Sequence, residues 1–243
     1  MSILIDRDPQ PKASPGALDQ IVWPVRSWRR CPAVVPPPDG SMIGLMESRR
    51  SGRTIGPAPL REVLNAIAFC TRPRFVLEND PYHRTRRLSP SAGAVHAVDV
   101  LIVDQCRSVP RIWRYDPLSH SLETLRIAES SAVQRFSILT QELLPDSRPT
   151  ALVFVGDVHR IEGLYDHAHS LLWRDAGALL QTLALVAAAY RLAFCPLGIL
   201  GGEVVDALML DRESALPVGC AAIGRPRSVR TAVRSGGQSE GED

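Results

Sequence analysis

Residues 49–53 read RRSGR, three arginines, a serine and a glycine, at the centre of MESRRSGRTIGPAPL. An arginine fork offers two parallel N–H donors to a phosphate or carboxylate, and its flat face also suits the edge of a heterocycle. The serine hydroxyl adds a donor, and glycine lets the main chain come close to a ligand. Arg49, Arg50, Ser51 and Arg53 are therefore candidate anion ligands. Taken alone, such a run reads first as a solvated basic loop.

Four other stretches have residue types that could do chemistry. SPSAGAVH (89–96), with proline, serine, alanine and glycine just before an apolar run, is a tight loop with exposed backbone N–H groups that lets a ligand come close to the main chain. CPLGILGG (195–202) is a proline and glycine break after an apolar segment and exposes backbone N–H groups to a ligand. IGRPRS (223–228) places Arg225 and Arg227 just past another apolar run, where arginines meet a phosphate or plain solvent. YDHAHSLLWRDAG (165–177) offers Tyr165 as a proton donor or acceptor. Its His167, His169 and Asp175 do not make a metal site: two histidines two apart on a helix face different ways, and no third ligand has fitting spacing. No metal is expected.

The elements that must position these groups follow from periodicity. Leu60, Val63, Leu64 and Ile67 recur at helical spacing and predict a helix over 59–70, with Pro59 in its first turn. VDVLIVD (98–104), TALVFVGDV (150–158) and PVGCAAIG (217–224) read as buried strands. RIWRYD and SLETLRI flank the turn PLSH and predict a β-hairpin. Val133, Phe136, Leu139 and Leu143 share one face of a helix over 128–143. A long helix covers 170–191 and a short one 201–210, while 72–89 is charged and loop-like. This mixture predicts an α+β or α/β layered domain. The proline-rich first 44 residues read as an irregular arm, 45–228 as the domain, and 229–243 as a flexible tail.

Composition excludes some classes. The 243 residues carry a net charge of +2, which gives no argument for nucleic-acid binding. Lys12 is the only lysine, a bias that genome composition explains without function. Cys31, Cys70, Cys106, Cys195 and Cys220 form no C-x-x-C pair, which favours reduced thiols in a cytoplasm. The N-terminus has no apolar signal-peptide core. Residues 176–200 are apolar enough to span a bilayer, but Gln181, Arg191 and Pro196 interrupt them, so they read as a helix buried in a protein or dimer. There is no G-x-G-x-x-G after a strand, no Walker motif and no serine nucleophile elbow.

The five stretches occur in an order that resembles the nitroreductase superfamily of FMN-dependent enzymes, and within it the SagB-type dehydrogenase branch. RRSGR looks like its opening R-R-S-x-R motif, RRLSPSAGAVHAVDVLIV its loop and strand, and IWRYDPLSHSLETL its Y-x-Y-D-P hairpin with Trp113 in the first aromatic place. WRDAGALLQTLALVAAAYRL resembles its central helix, PLG the loop after it, and PVGCAAIGRP its last strand. The resemblance covers about Glu47 to Arg227. It implies a mostly antiparallel sheet flanked by helices, and a homodimer with FMN at the interface and the long helix in the dimer core. It further implies that Arg49, Arg50, Ser51 and Arg53 hold the phosphate, ribityl chain and pyrimidine edge. Pro90, Ser91 and Ala92 would contact the flavin from the partner subunit, Leu197 and Gly198 would lie by the ring edge, and Arg225 and Arg227 would complete the phosphate site.

Enzymes of that branch oxidise azolines in modified peptides to azoles, which needs a base for a carbon-bound proton. The branch has a lysine–tyrosine pair there; this chain has Leu164 and Tyr165, with His159 and His167 nearby. The resemblance thus implies peptide dehydrogenation, with a cyclodehydratase as partner. An NAD(P)H-dependent reductase of nitro, quinone or alkene groups, and a scaffold that has lost catalysis, are the alternatives.

Overall fold

The computed structural model describes residues 7–14, 16, 19–38, 40–104 and 109–227. The expected tail at 229–243 and Cys106 lie outside them. The strands are β1 (Gln10–Pro11), β2 (Val25–Arg30), β3 (Ile55–Gly56), β4 (Phe75–Val76), β5 (Thr85–Arg86) and β6 (Val98–Asp104). They continue as β7 (Arg111–Asp116), β8 (Ser121–Leu125), β9 (Thr150–Asp157), β10 (Tyr165–Asp166), β11 (Ala193–Leu197) and β12 (Ala215–Pro226). The helices are α1 (Met42–Ser48), α2 (Leu60–Thr71), α3 (Ser130–Leu143), α4 (Val158–Glu162), α5 (His169–Ala189) and α6 (Gly202–Ala207).

The main sheet runs β11-β12-β9-β6-β7-β8-β2, with β3 also paired to β12, and its ladders are antiparallel. The apolar runs of β6 and β9 lie at its middle because both of their faces are covered. Side chains alternate across a strand. Val100, Ile102, Leu152 and Phe154 therefore enter one core beneath α2 and α5, while Leu101, Val103, Ala151 and Val153 enter another beneath α3 and α6. The expected helices, hairpin and buried strands are all present, within a few residues of their predicted ends.

Two expectations need correction. The proline-rich arm is not wholly irregular: β2 adds an edge strand beside β8, and the Ile21 N–H donates to Asp157 Oδ2 at 2.9 Å. The break expected at Pro196 is instead the edge strand β11, paired to β12 from Ala193 to Leu197. A proline is tolerated there because an edge strand can spare its N–H.

Among the described residues α5 is long and apolar enough to cross a membrane, and half of its apolar window is buried within the fold. Leu172, Leu179 and Leu183 pack into the core, while Trp173, Gly177 and Gln181 form an exposed stripe.

Candidate functional site

The first group of predicted residues meets at one corner of the sheet. Helix α1 ends where the Arg49 N–H donates to Leu45 O at 3.0 Å. The chain then passes the edge strand β11: Ser51 bridges to Phe194, and the Gly52 N–H donates to Phe194 O at 3.1 Å. It enters β3, where Gly56 pairs with Arg225 and Ile55 with Pro226, and the Arg227 N–H donates to Thr54 O at 3.2 Å. Ser147 Oγ fixes the loop by donating to Arg53 O and accepting the Ile55 N–H, both at 2.9 Å. RRSGR, the strand that ends in Leu197, and Arg225 with Arg227 are thus neighbours although far apart in sequence.

Their charges are not equally available. Arg50 Nη1 turns back on its own chain, to Glu47 O at 2.8 Å and Arg49 O at 3.0 Å. Arg225 is held by Glu62 through two hydrogen bonds. Arg49, Arg53 and Arg227 have no ion pair among the described residues. Burial raises the Cys195 thiol pKa, and the Arg53 cation opposes that rise, so the two lie close. A cleft of about 290 Å³ opens nearby, with Leu197, Gly198 and Leu200 on one side and Trp173, Gly177 and Leu180 of α5 on the other.

The second group lies elsewhere. Pro90 is exposed, and Ser91 and Ala92 are half-buried. Ser91 Oγ donates to Asp175 Oδ2 at 2.6 Å, and the Ala92 N–H donates to Asp175 Oδ1 at 3.1 Å. Gly93 and Ala94 both adopt left-handed backbone, with φ of 57° each. Tyr165 closes over this loop: a Cβ on Gly93 would lie 3.0 Å from its Oη. Tyr165 is placed by the short β1–β10 ladder, opposite Pro11.

Helix α5 stands between the two groups. Asp175 is two residues from both Trp173 and Gly177, so it points about 200° away from them around the helix. Within one chain the loop at 90–92 and the cleft under Leu197 therefore use different sides of α5. His167 and His169 are exposed, and Asp175 is committed to the loop. Among the described residues no group of three potential metal ligands occurs.

Glu62, Ser147 and the loop-holding role of Asp175 were not foreseen. No local pattern marks them, because each acts on a segment distant in sequence. In the folded chain burial raises the Asp175 carboxyl pKa, and the hydrogen bonds from Ser91 and Ala92 oppose the rise.

Comparison with known proteins bears on the family and the fold. The model of the nitroreductase family matches residues 46–225. No curated protein matches the chain. A protein of Ralstonia eutropha JMP134 assigned to the nitroreductases superposes with a TM-score of 0.64 at 19% identity, over 92% of this chain and 100% of its own. The Escherichia coli microcin synthetase McbBCD complex with truncated pro-MccB17 bound contains a chain with a TM-score of 0.53 at 18% identity, over 73% of this chain and 68% of its own. An assigned NAD(P)H:FMN oxidoreductase of Staphylococcus epidermidis ATCC 12228 gives 0.52 at 13% identity, over 82% and 94%.

Proposed function

Since the chain belongs to the nitroreductase family of flavin oxidoreductases, we propose that it is an FMN-dependent dehydrogenase of a peptide or peptide-derived substrate, of the SagB type. The observation that carries this reading is the meeting of RRSGR, Leu197–Gly198 and Arg227 at one corner of the sheet. The corner fits FMN in chemistry. Among the described residues Arg49, Arg53 and Arg227 are cations without carboxylate partners, as a phosphate needs, and the apolar cleft beside Leu197 suits a flat ring. Arg49, Arg50, Ser51 and Arg53 would hold the phosphate end and pyrimidine edge, with Arg225 and Arg227 beside them. Bound flavin would supply the two-electron acceptor.

The rest of the work falls to this chain's own side chains. Pro90, Ser91 and Ala92, fixed by Asp175, would press on the flavin of a second copy, since α5 separates them from the cleft of their own chain. The exposed stripe of Trp173, Gly177 and Gln181 supports a homodimer. Tyr165 Oη, at the rim of the same loop, would take the carbon-bound proton. Leu164 stands where the branch has a lysine, and the cation that Tyr165 feels is instead Arg84, itself paired with Asp80. The fold likeness to a chain of McbBCD, a complex solved with a pro-peptide, supports a peptide substrate and a cyclodehydratase partner. The free thiols of Cys31, Cys70, Cys195 and Cys220 support a cytoplasmic setting.

The test is direct. The purified protein is expected to be yellow, to release FMN on denaturation, and to form a dimer. A colourless protein that cannot be reconstituted with FMN would overturn the reading. The likeness in fold to an assigned NAD(P)H:FMN oxidoreductase favours a second reading, reduction at the expense of NAD(P)H. Bleaching of the bound flavin by NADPH in the absence of peptide would select it.

A further inference from the structure

Next to the Pro90–Ala92 loop is another cavity, of about 440 Å³. One wall is apolar, made by the exposed Phe75 and Leu77. The other is basic, made by Arg84, Arg86, Arg87 and His96. The three arginines are not alike. Arg84 is already neutralised, since Nε and Nη2 both reach the buried Asp80 carboxylate, Nη2 at 2.7 Å. Arg86 is exposed and has no ion pair among the described residues.

Arg87 is half-buried and has no counter-ion among the described residues. Its Nε–H donates to the neutral Thr85 hydroxyl at 3.0 Å, and among the described residues no carboxylate is within ion-pair distance. Burial pulls its pKa down to about 10, and the Arg160 cation adds to the effect. Asp99 and Asp116 act on it only from a distance and have partners of their own. Asp99 meets Arg114 at 3.0 Å, and Asp116 accepts the Ser119 hydroxyl at 2.6 Å. His96 adds no charge at neutral pH: burial and Arg87 hold its pKa down to about 4. An unpaired cation removed from water costs several kcal/mol. Here it lines a cavity beside a second free cation, where an incoming anion would relieve that cost.

We propose that this cavity is a subsite for a carboxylate on the substrate, held by Arg86 and Arg87, with Phe75 and Leu77 covering an adjoining apolar group. The proposal rests on the oxidoreductase reading, because its wall is the loop that would touch flavin and that Tyr165 borders. It narrows the substrate class to molecules carrying a carboxylate next to an apolar or aromatic group.

The experiment uses FMN-saturated protein and calorimetric titration with hippurate, an aromatic terminal carboxylate, and with its uncharged N-methylamide. Hippurate should bind saturably and the amide at least about tenfold more weakly, as loss of a charge-assisted pair implies. N-benzoylglutamic acid α-amide, with a side-chain carboxylate, shows which kind of carboxylate the site takes; tighter binding by either carboxylate than by the N-methylamide supports the proposal. Arg86→Gln and Arg87→Gln should each weaken hippurate about tenfold while flavin content stays constant. If Arg87→Gln fails to fold, Arg86→Gln decides. Binding of both acids no tighter than that of the N-methylamide, no binding of any of the three, or an unchanged affinity in Arg86→Gln overturns the proposal. A protein that cannot be loaded with FMN would fail earlier, and visibly, on the flavin reading instead.

Discussion

The Asp175 carboxylate accepts the Ser91 hydroxyl at 2.6 Å and the Ala92 N–H at 3.1 Å, so one side chain of α5 fixes the loop at 90–92. Ser91 Oγ in turn accepts the His96 N–H at 2.8 Å, which extends the chain of bonds to the end of the loop. The loop needs such anchoring because Gly93, Ala94 and His96 all have left-handed backbone, which costs energy at the two non-glycine positions.

Removal of that anchor should be felt twice. Asp175→Ala leaves the Ser91 hydroxyl and the Ala92 N–H without their acceptor, a loss of about 1–3 kcal/mol. Thermal unfolding should shift down, and flavin should be retained less well. Asp175→Asn keeps the size but turns one acceptor into a donor, so it should fall between. Wild-type flavin content in Asp175→Ala would show that the loop holds its shape without the carboxylate.

Gly224 packs directly against β3: a Cβ there would lie 2.1 Å from Gly56 O and 2.7 Å from Ile55 Cγ2. The obstacle is backbone and cannot rotate away. Gly224→Ala should cost about 1–3 kcal/mol as an overpacked site, and it should push away the strand that follows RRSGR. Weaker FMN binding together with a lower Tm is expected. A lower Tm with unchanged FMN affinity would mean that the arginine loop is held mainly by β11.

These two sites show what the sequence did and did not reveal. Continuous apolar runs made β6 and β9 legible, whereas RRSGR, PLG and GRPR were each weak alone and were grouped only by their order along the chain and its resemblance to a family. β2 was not, because all six of its residues are exposed and backbone pairing with β8 holds it, so it has no apolar alternation to read. β11 was hidden by Pro196, which normally ends an element and here stands on a sheet edge. Glu62 and Asp175 act on residues that only the folded chain brings near, so spacing carries no trace of their partners.

Two buried groups should bend stability against pH in opposite directions. Burial raises the Asp157 carboxyl pKa to about 6, although it accepts the Ile21 and Arg160 N–H groups. Between about 4 and 6 the folded chain keeps a proton on Asp157 that the unfolded chain has lost, so this group lowers stability as pH rises, by up to about 1.4 kcal/mol per unit. His96, with its pKa held down to about 4, does the reverse. From about 6.5 down to 4 the unfolded chain takes a proton that the folded chain refuses, so this group lowers stability as pH falls. Relative to wild type, His96→Gln should gain stability toward pH 4.5, and Asp157→Asn should lose it. Urea midpoints at pH 4.5 and 6.5 measure both, and a shift of the same sign in the two variants would contradict the assignment.

Tyr165→Phe removes one hydroxyl at the rim of the loop and leaves the ring against Gly93. If Tyr165 Oη takes the substrate proton, the rate at which an azoline peptide reduces the bound flavin should fall by about 10²–10⁴. FMN affinity and Tm should stay at wild-type values. Full activity in the variant would remove Tyr165 from the proton transfer and turn attention to His159 or His167.

Arg225 and Arg227 are two residues apart at the end of β12, yet they should not matter equally. The Arg225 fork is turned onto Glu62, and both side chains of that pair are well exposed, so the pair adds little to stability. Arg227 has no ion pair among the described residues, and its backbone is pinned to Thr54. Arg227→Gln should therefore weaken FMN about tenfold or more, as loss of a charge-assisted hydrogen bond implies. Arg225→Gln should weaken it less, because its donors are shared. Glu62→Gln supplies the complementary test, since it frees the Arg225 fork and should tighten FMN. Fluorescence quenching of FMN titrated into apoprotein gives the three affinities. Equal losses for the two arginines, or weaker binding in Glu62→Gln, would mean that Arg225 meets the phosphate while still bound to Glu62.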